Sequence, residues 1–119
     1  MPSISYKHGL VAAAFAVLAV VPATIAQEPS AEAGRALYVA TCSGCHAEGG
    51  EGGYGPPLVS NNFVASPANM IGQILNPREL MPSFRHLSDE DIATIVNFVR
   101  MVFNDYDDAI DAAFVAAQR

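Results

Sequence analysis

The sequence is poor in positive charge. Its only lysine is Lys7, so the 93 residues from Gln27 onward carry five arginines against twelve carboxylates, a formal charge of −7. Nothing in that stretch supplies a basic face to neutralise phosphates, which excludes a general nucleic-acid binder. Cysteine is also scarce: Cys42 and Cys45 are the only two, too close in sequence to staple distant parts of the chain. No sustained alternation of apolar and polar residues is present, which argues against a sheet. Leu10 to Val21 is unbroken apolar sequence but covers only 12 residues, short of the ~20 that span a bilayer.

What is present at the start reads as an export signal. Lys7 precedes the apolar run, Pro22 ends it, and Thr24-Ile25-Ala26 places small residues before a cut after Ala26. Residues 1–26 are therefore expected to be a cleaved signal peptide and the protein to be periplasmic, with membrane attachment only if the leader stays uncleaved. With no cysteine near the cut, a lipid anchor is not expected. A mature chain of this size has a thin core, and small exported domains usually add disulfides, a metal or a cofactor.

The rest of the chain punctuates into helices. Ser30 is an N-cap candidate for a helix running through Leu37 and Val39 to about Cys45, with Glu32 in its first turn. Gly49 to Gly55 followed by Pro56-Pro57 predicts a loop. Its literal G-x-G-x-x-G pattern, Gly50 to Gly55, has no preceding strand and no following helix, and reads as a flexible loop rather than a nucleotide fingerprint. Ser66-Pro67 opens a second helix with Met70, Ile71, Ile74 and Leu75 as its apolar face, ended by Asn76-Pro77. Ser88 opens a third, with Asp91 as capping-box partner and Ile92, Ile95, Val96, Val99, Val102 and Phe103 at helical spacing until Asn104. Residues 104–119 predict an acidic, amphipathic helical extension, either a docking element or a frayed helix, with Ile110 and Phe114 on its apolar side. The fold class is all-α, with one domain over 27–103.

Chemistry concentrates at Cys42-Ser43-Gly44-Cys45-His46. C-x-x-C-H is the attachment signature of c-type haem. On a helix, positions i and i+3 share a face, so both thiols reach one porphyrin edge, and His46 lies where its imidazole meets the iron. A thioredoxin-type pair would need a βαβ context and leaves His46 unexplained. A structural zinc site would need four ligands and finds at most Cys42, Cys45, His46 and His86. A disulfide closing so short a loop would stabilise little.

Three methionines compete for the sixth iron position. Met101 falls inside the third helix and Met70 beside Ile71, both readable as core packing. Met81 lies in the non-helical stretch before Pro82, far enough from His46 for the chain to pass around the haem, and is the expected ligand. His86 reads as an exposed loop histidine, with a ligand role only in a rearranged state. Ser60, Asn61 and Asn62 read as a turn or as donors to a haem propionate.

From Ser30 to about Phe103 the chain resembles a small bacterial monohaem cytochrome c of the His/Met type. The resemblance rests on Gly34 and Tyr38, Cys42 to His46, Gly55-Pro56-Pro57-Leu58, Met81-Pro82 and the helix from Ser88. It implies that Pro56 offers its carbonyl to the second ring nitrogen of His46 and that Leu58 lines the haem pocket. It also implies that Gly34 and Tyr38 meet the last helix near Phe98 and Val99. Unlike mitochondrial cytochromes c, the chain has no ring of lysines; Arg78 and Arg85 flank Met81 instead.

The function expected is one-electron transfer through a single haem c joined to Cys42 and Cys45, with axial ligands His46 and Met81 and cofactor contacts from Pro56 and Leu58. No acid, base or nucleophile lines a substrate pocket, so an enzyme acting alone is not expected. The protein reads as a free shuttle or as the cytochrome subunit of a periplasmic dehydrogenase, its acidic surface meeting a redox partner with a basic docking site. The alternative is a haem sensor in which a labile Met81 yields to a gas or peroxide. A thiol oxidoreductase is a third reading.

Overall fold

The computed structural model describes residues 31–119 continuously, together with Pro2, Ser3, Gly9, Ala16 and Ala19. Apart from those five positions, the expected leader lies outside the described residues, as does the Ser30 cap. Among the described residues five helices follow in order: α1 (Ala31–Thr41), α2 (Ser43–His46), α3 (Pro67–Leu75), α4 (Asp89–Asn104) and α5 (Ala112–Ala116), with a 3-10 turn at Asn62–Ala65. No strand occurs among the described residues, and no helix there is long and apolar enough to cross a membrane.

Local signals place the helix starts. Ser66 Oγ accepts from the Asn69 amide at 3.2 Å, with Pro67 at the first helical position. Ser88 Oγ accepts from the Asp91 amide at 3.1 Å, and three carboxylates fill the first turn of α4. Asp105, in the left-handed conformation, ends α4. The first helix breaks at Cys42 and restarts as α2, rather than running unbroken to Cys45.

The core forms where α1 crosses α4. Gly34 and Tyr38, one turn apart, are the buried residues of α1. A Cβ on Gly34 would lie 2.6 Å from Phe98 Cβ, so only hydrogen permits the crossing. Tyr38, Phe98 and Phe103 make three mutual ring contacts with centroids 5.0–5.5 Å apart. Met70, Ile71 and Leu75 of α3 complete the cluster, with Ile74 half-buried beside it.

Several expectations are revised by tertiary packing. Val102 is exposed on α4, and so is Met101, at 42 %, which removes the core-packing reading of that methionine. In the extension the helix is limited to Ala112–Ala116, and the buried side chain is Val115, while Phe114 faces outward. Nor is the extension a frayed end. Asn97, buried on α4, exchanges two hydrogen bonds with the backbone of Ile110, at 2.8 and 2.9 Å. Arg100, 1 % exposed, donates to the carbonyls of Val64, Ala65 and Asp108 and to the Asp108 carboxylate. These bonds fasten the extension and the 3-10 turn to α4.

Candidate functional site

One helical turn carries the cysteines and His46. The amides of Cys45 and His46 both donate to Cys42 O, at 3.2 and 3.0 Å, which gathers the three side chains at the end of α1. Cys42 is half-buried and Cys45 exposed, and both are free thiols. Burial, and then the neighbouring Cys45, push Cys42 up to about 11, so it is a neutral thiol at pH 7. A thiol-exchange nucleophile needs its pKa lowered instead, so this displacement weighs against the oxidoreductase reading.

The glycine-rich segment is held against that turn rather than being a free loop. The Gly52 amide donates to His46 O and the Gly55 amide to Cys45 O, at 3.0 and 2.8 Å, satisfying carbonyls at the helix end. The return brings Pro56 O to 2.8 Å from His46 Nδ1. With a proton on Nδ1 the ring donates to that carbonyl, and Nε2 is left with its lone pair free for a metal. Gly55 lies against the imidazole, where a Cβ would be 2.9 Å from Cε1 and 3.0 Å from Nδ1. It acts as a spacer that leaves the ring room to stand in this orientation. Leu58 is half-buried against the core; its amide donates to Gly50 O at 2.7 Å, and its carbonyl accepts from Asn104 Nδ2 at 2.8 Å.

Met81 follows a segment that α3 leaves at Asn76 and that turns through a left-handed Glu79. Its thioether is half-buried, and Gln73 Nε2 approaches Sδ at 3.7 Å. Met70 sits in the core at 7 % exposure. Gln73 also lines a cleft of about 320 Å³ with Phe63, Gly72, Asn76 and Arg78. His86 is exposed, its ring tilted against that of Phe84 with centroids 5.9 Å apart. Asn61 is occupied structurally: its Oδ1 caps the 3-10 turn and its Nδ2 donates to Pro57 O.

The residues present suit a c-type haem. Two free thiols on one turn would serve thioether attachment, an imidazole fixed through Nδ1 would offer one axial nitrogen, and a loop-borne thioether would offer a soft partner. Among the described residues no cluster of three or more His, Cys, Asp or Glu side chains is assembled, so the ligand set of a structural zinc site is missing there. Sequence reasoning did not find Gln73, whose role depends on how α3 lies beside the Met81 loop. Gly55 figured only as part of a motif, not as the spacer behind His46.

Comparison with known proteins assigns the family. Residues 29–99 match the family described as cytochrome C oxidase, cbb3-type, subunit III. The chain is 35 % identical to the fructose dehydrogenase cytochrome subunit of Gluconobacter japonicus, over 72 % of this chain and 22 % of that protein. It is 32 % identical to cytochrome c6 of Cyanidium caldarium, over 57 % of this chain and 67 % of that one. The crystal structure of cytochrome CL from Methylophaga aminisulfidivorans superimposes with a TM-score of 0.53 at 29 % identity, covering 61 % of this chain and 55 % of that one. The chain thus spans only about a fifth of the dehydrogenase subunit it matches. The match over residues 29–99, on a helical frame that carries Cys42, Cys45 and His46 on one turn, places the chain in the cbb3-type cytochrome c oxidase subunit III family of small c-type cytochromes.

Proposed function

We propose that this protein is a periplasmic one-electron carrier, with one haem joined covalently to Cys42 and Cys45 and ligated by His46 and Met81. The observation that carries the reading is the 2.8 Å contact between His46 Nδ1 and Pro56 O, which leaves Nε2 free to coordinate. When bound, the haem supplies the ferrous/ferric couple. The chain supplies a neutral imidazole whose plane is set by Pro56 and Gly55, and a thioether whose electron density is drawn on by Gln73. Both ligands sit on segments bonded to the helical frame, which favours exchange of an electron with little movement.

The partner is a redox protein with a basic docking site, because the acidic residues outnumber the arginines and Arg100 is buried. Arg78 and Arg85 stand exposed beside the Met81 loop, a local exception in this acidic surface. Similarity to dehydrogenase cytochrome subunits and to cytochrome c6 supports an electron-transfer role rather than catalysis by the chain alone, as a free shuttle or as a subunit.

The test is maturation of the full chain in a host that attaches c-type haem. A mass increase of one haem that survives denaturation is expected. So is a weak far-red sulfur-to-iron band in the ferric protein that is lost in Met81→Ala and kept in Met70→Ala. Absence of the band, with ready carbon monoxide binding by the reduced protein, would refute Met81 ligation and favour a ligand-binding haem protein.

A further inference from the structure

The segment that carries Met81 back to α4, residues 82–88, has no helix of its own and must borrow its order. Its first half takes it from α3: Ser83 Oγ donates to Leu75 O at 2.8 Å, the Phe84 amide to Ile74 O at 3.0 Å, and Arg85 Nη2 to Asn76 Oδ1 at 2.8 Å. Its second half is held from the opposite side of the chain. Arg119 Nη1 donates to Arg85 O at 3.2 Å, Nη2 to Leu87 O at 2.8 Å, and Nε to Asp89 Oδ1 at 2.6 Å. One planar fork thus spans the last residues of the stem and the first turn of α4, a geometry that a single ammonium cannot reproduce.

We propose that Arg119 is a positioning residue for the Met81 ligand, coupling the 105–119 extension to the sixth coordination position. The inference rests on Met81 being that ligand, as proposed above. Arg119 is itself well placed. α5 is capped by Asp111 and anchored by the fully buried Val115, and the Arg119 amide donates to Ala116 O at 3.3 Å. Upstream, the extension is tied to α4 through Asn97–Ile110 and Arg100–Asp108. A continuous series of bonds therefore runs from inside α4, through the extension, to the stem of the Met81 loop.

The thioether is a neutral ligand on a loop, so it is lost by local opening long before global unfolding. Opening the stem requires the carbonyls of Arg85 and Leu87 to leave Arg119. The Asp89 and Arg119 side chains are 27 % and 30 % exposed, so the ion pair is partly shielded from water. Isolated surface pairs of this kind are weak. Here, however, the fork makes three contacts at once, and hydrogen bonds to a charged donor are the stronger class.

The experiment uses the haem-loaded full chain in the ferrous state. Carbon monoxide binding is followed by rapid mixing, since its rate reports how often Met81 leaves the iron, and amide exchange is measured at Phe84 and Leu87. Arg119→Ala is compared with the parent, with Met81→Ala, and with Val99→Ala, a truncation of a buried α4 core residue that lowers global stability and lies ten residues beyond Asp89.

Arg119→Ala is expected to bind carbon monoxide about tenfold faster than the parent and to speed exchange at Leu87. Val99→Ala should leave both near the parent values, and Arg119→Lys, which keeps one charge contact, should fall between. A slow parent, a fast Met81→Ala and an Arg119→Ala no faster than Val99→Ala would overturn the role of Arg119 alone. A parent already as fast as Met81→Ala would overturn Met81 ligation, and this inference with it.

Discussion

Replacing Gly34 by alanine sets two effects of opposite sign against each other. In the middle of a helix the change gains about 1 kcal/mol of intrinsic propensity. Against it stands the new methyl, 2.6 Å from Phe98 Cβ and 3.2 Å from Phe98 Cγ. Phe98 Cβ is fixed to the α4 backbone, so no rotamer relieves the overlap. Reaching ordinary contact at 3.4 Å requires α1 and α4 to part by about 0.8 Å. A gap of that size forfeits a quarter to a half of the dispersion attraction between facing atoms. The contacts at risk include the Tyr38–Phe98 and Tyr38–Phe103 ring pairs. The cost of such overpacking is about 3 kcal/mol, leaving a net loss of about 2 kcal/mol and a fall in Tm on the order of 10 °C for a domain of this size. Urea unfolding of the haem-loaded protein measures it, and Ala36→Gly, at an exposed position one turn-half away, reports the propensity alone, about 1 kcal/mol. If Gly34→Ala is as stable as the parent while Ala36→Gly costs its expected amount, the close crossing is not what fixes glycine at 34.

Gly55→Ala pushes a methyl into the His46 ring and should disturb its bond to Pro56, shifting the ferric spectrum away from a purely low-spin form; an unchanged spectrum counts against the spacer role. Gln73→Val removes the donor at the Met81 sulfur, so the thioether gives more density to ferric iron and the reduction potential falls. One modest hydrogen bond corresponds to about 20–60 mV, and a potential that rises instead refutes the argument. The hydrogen bond from Arg100 holds the Asp108 carboxyl below its ordinary value of 3.8. Because its pKa is lower folded than unfolded, its contribution is present above about pH 4 and is lost as pH falls through the folded pKa. The Tm of the parent should therefore drop more steeply in that acid range than that of Asp108→Asn; parallel curves would show that the pair does not contribute.

What could be read directly from the chain was local. Ser66 with Pro67, and Ser88 with its three following carboxylates, mark helix starts through chemistry completed within four residues. Cys42 to His46 marks the attachment turn for the same reason. What could not be read depends on which face of a helix meets a neighbour. Met70 and Met101 look alike in sequence, yet one lies in the core and the other on the surface. Phe114 looks like the residue to bury, but α5 buries Val115 and leaves Phe114 exposed. Arg100 counts as one more surface cation until the carbonyls of Val64 and Ala65 are found around it. Gln73 carries no sequence mark at all, since its partner is reached only through the return of the Met81 loop.

The burial of Arg100 bears on how this cytochrome can be cut and grafted. A chimera made from the matched segment 29–99 would omit the arginine and leave the Val64 and Ala65 carbonyls without that donor. One carried on to residue 104 would keep the cation but discard both Asp108 acceptors, stranding part of a charged group away from water. The shortest portable unit therefore runs through the extension, and a transplant that respects only the haem-binding signature inherits an unbalanced interior.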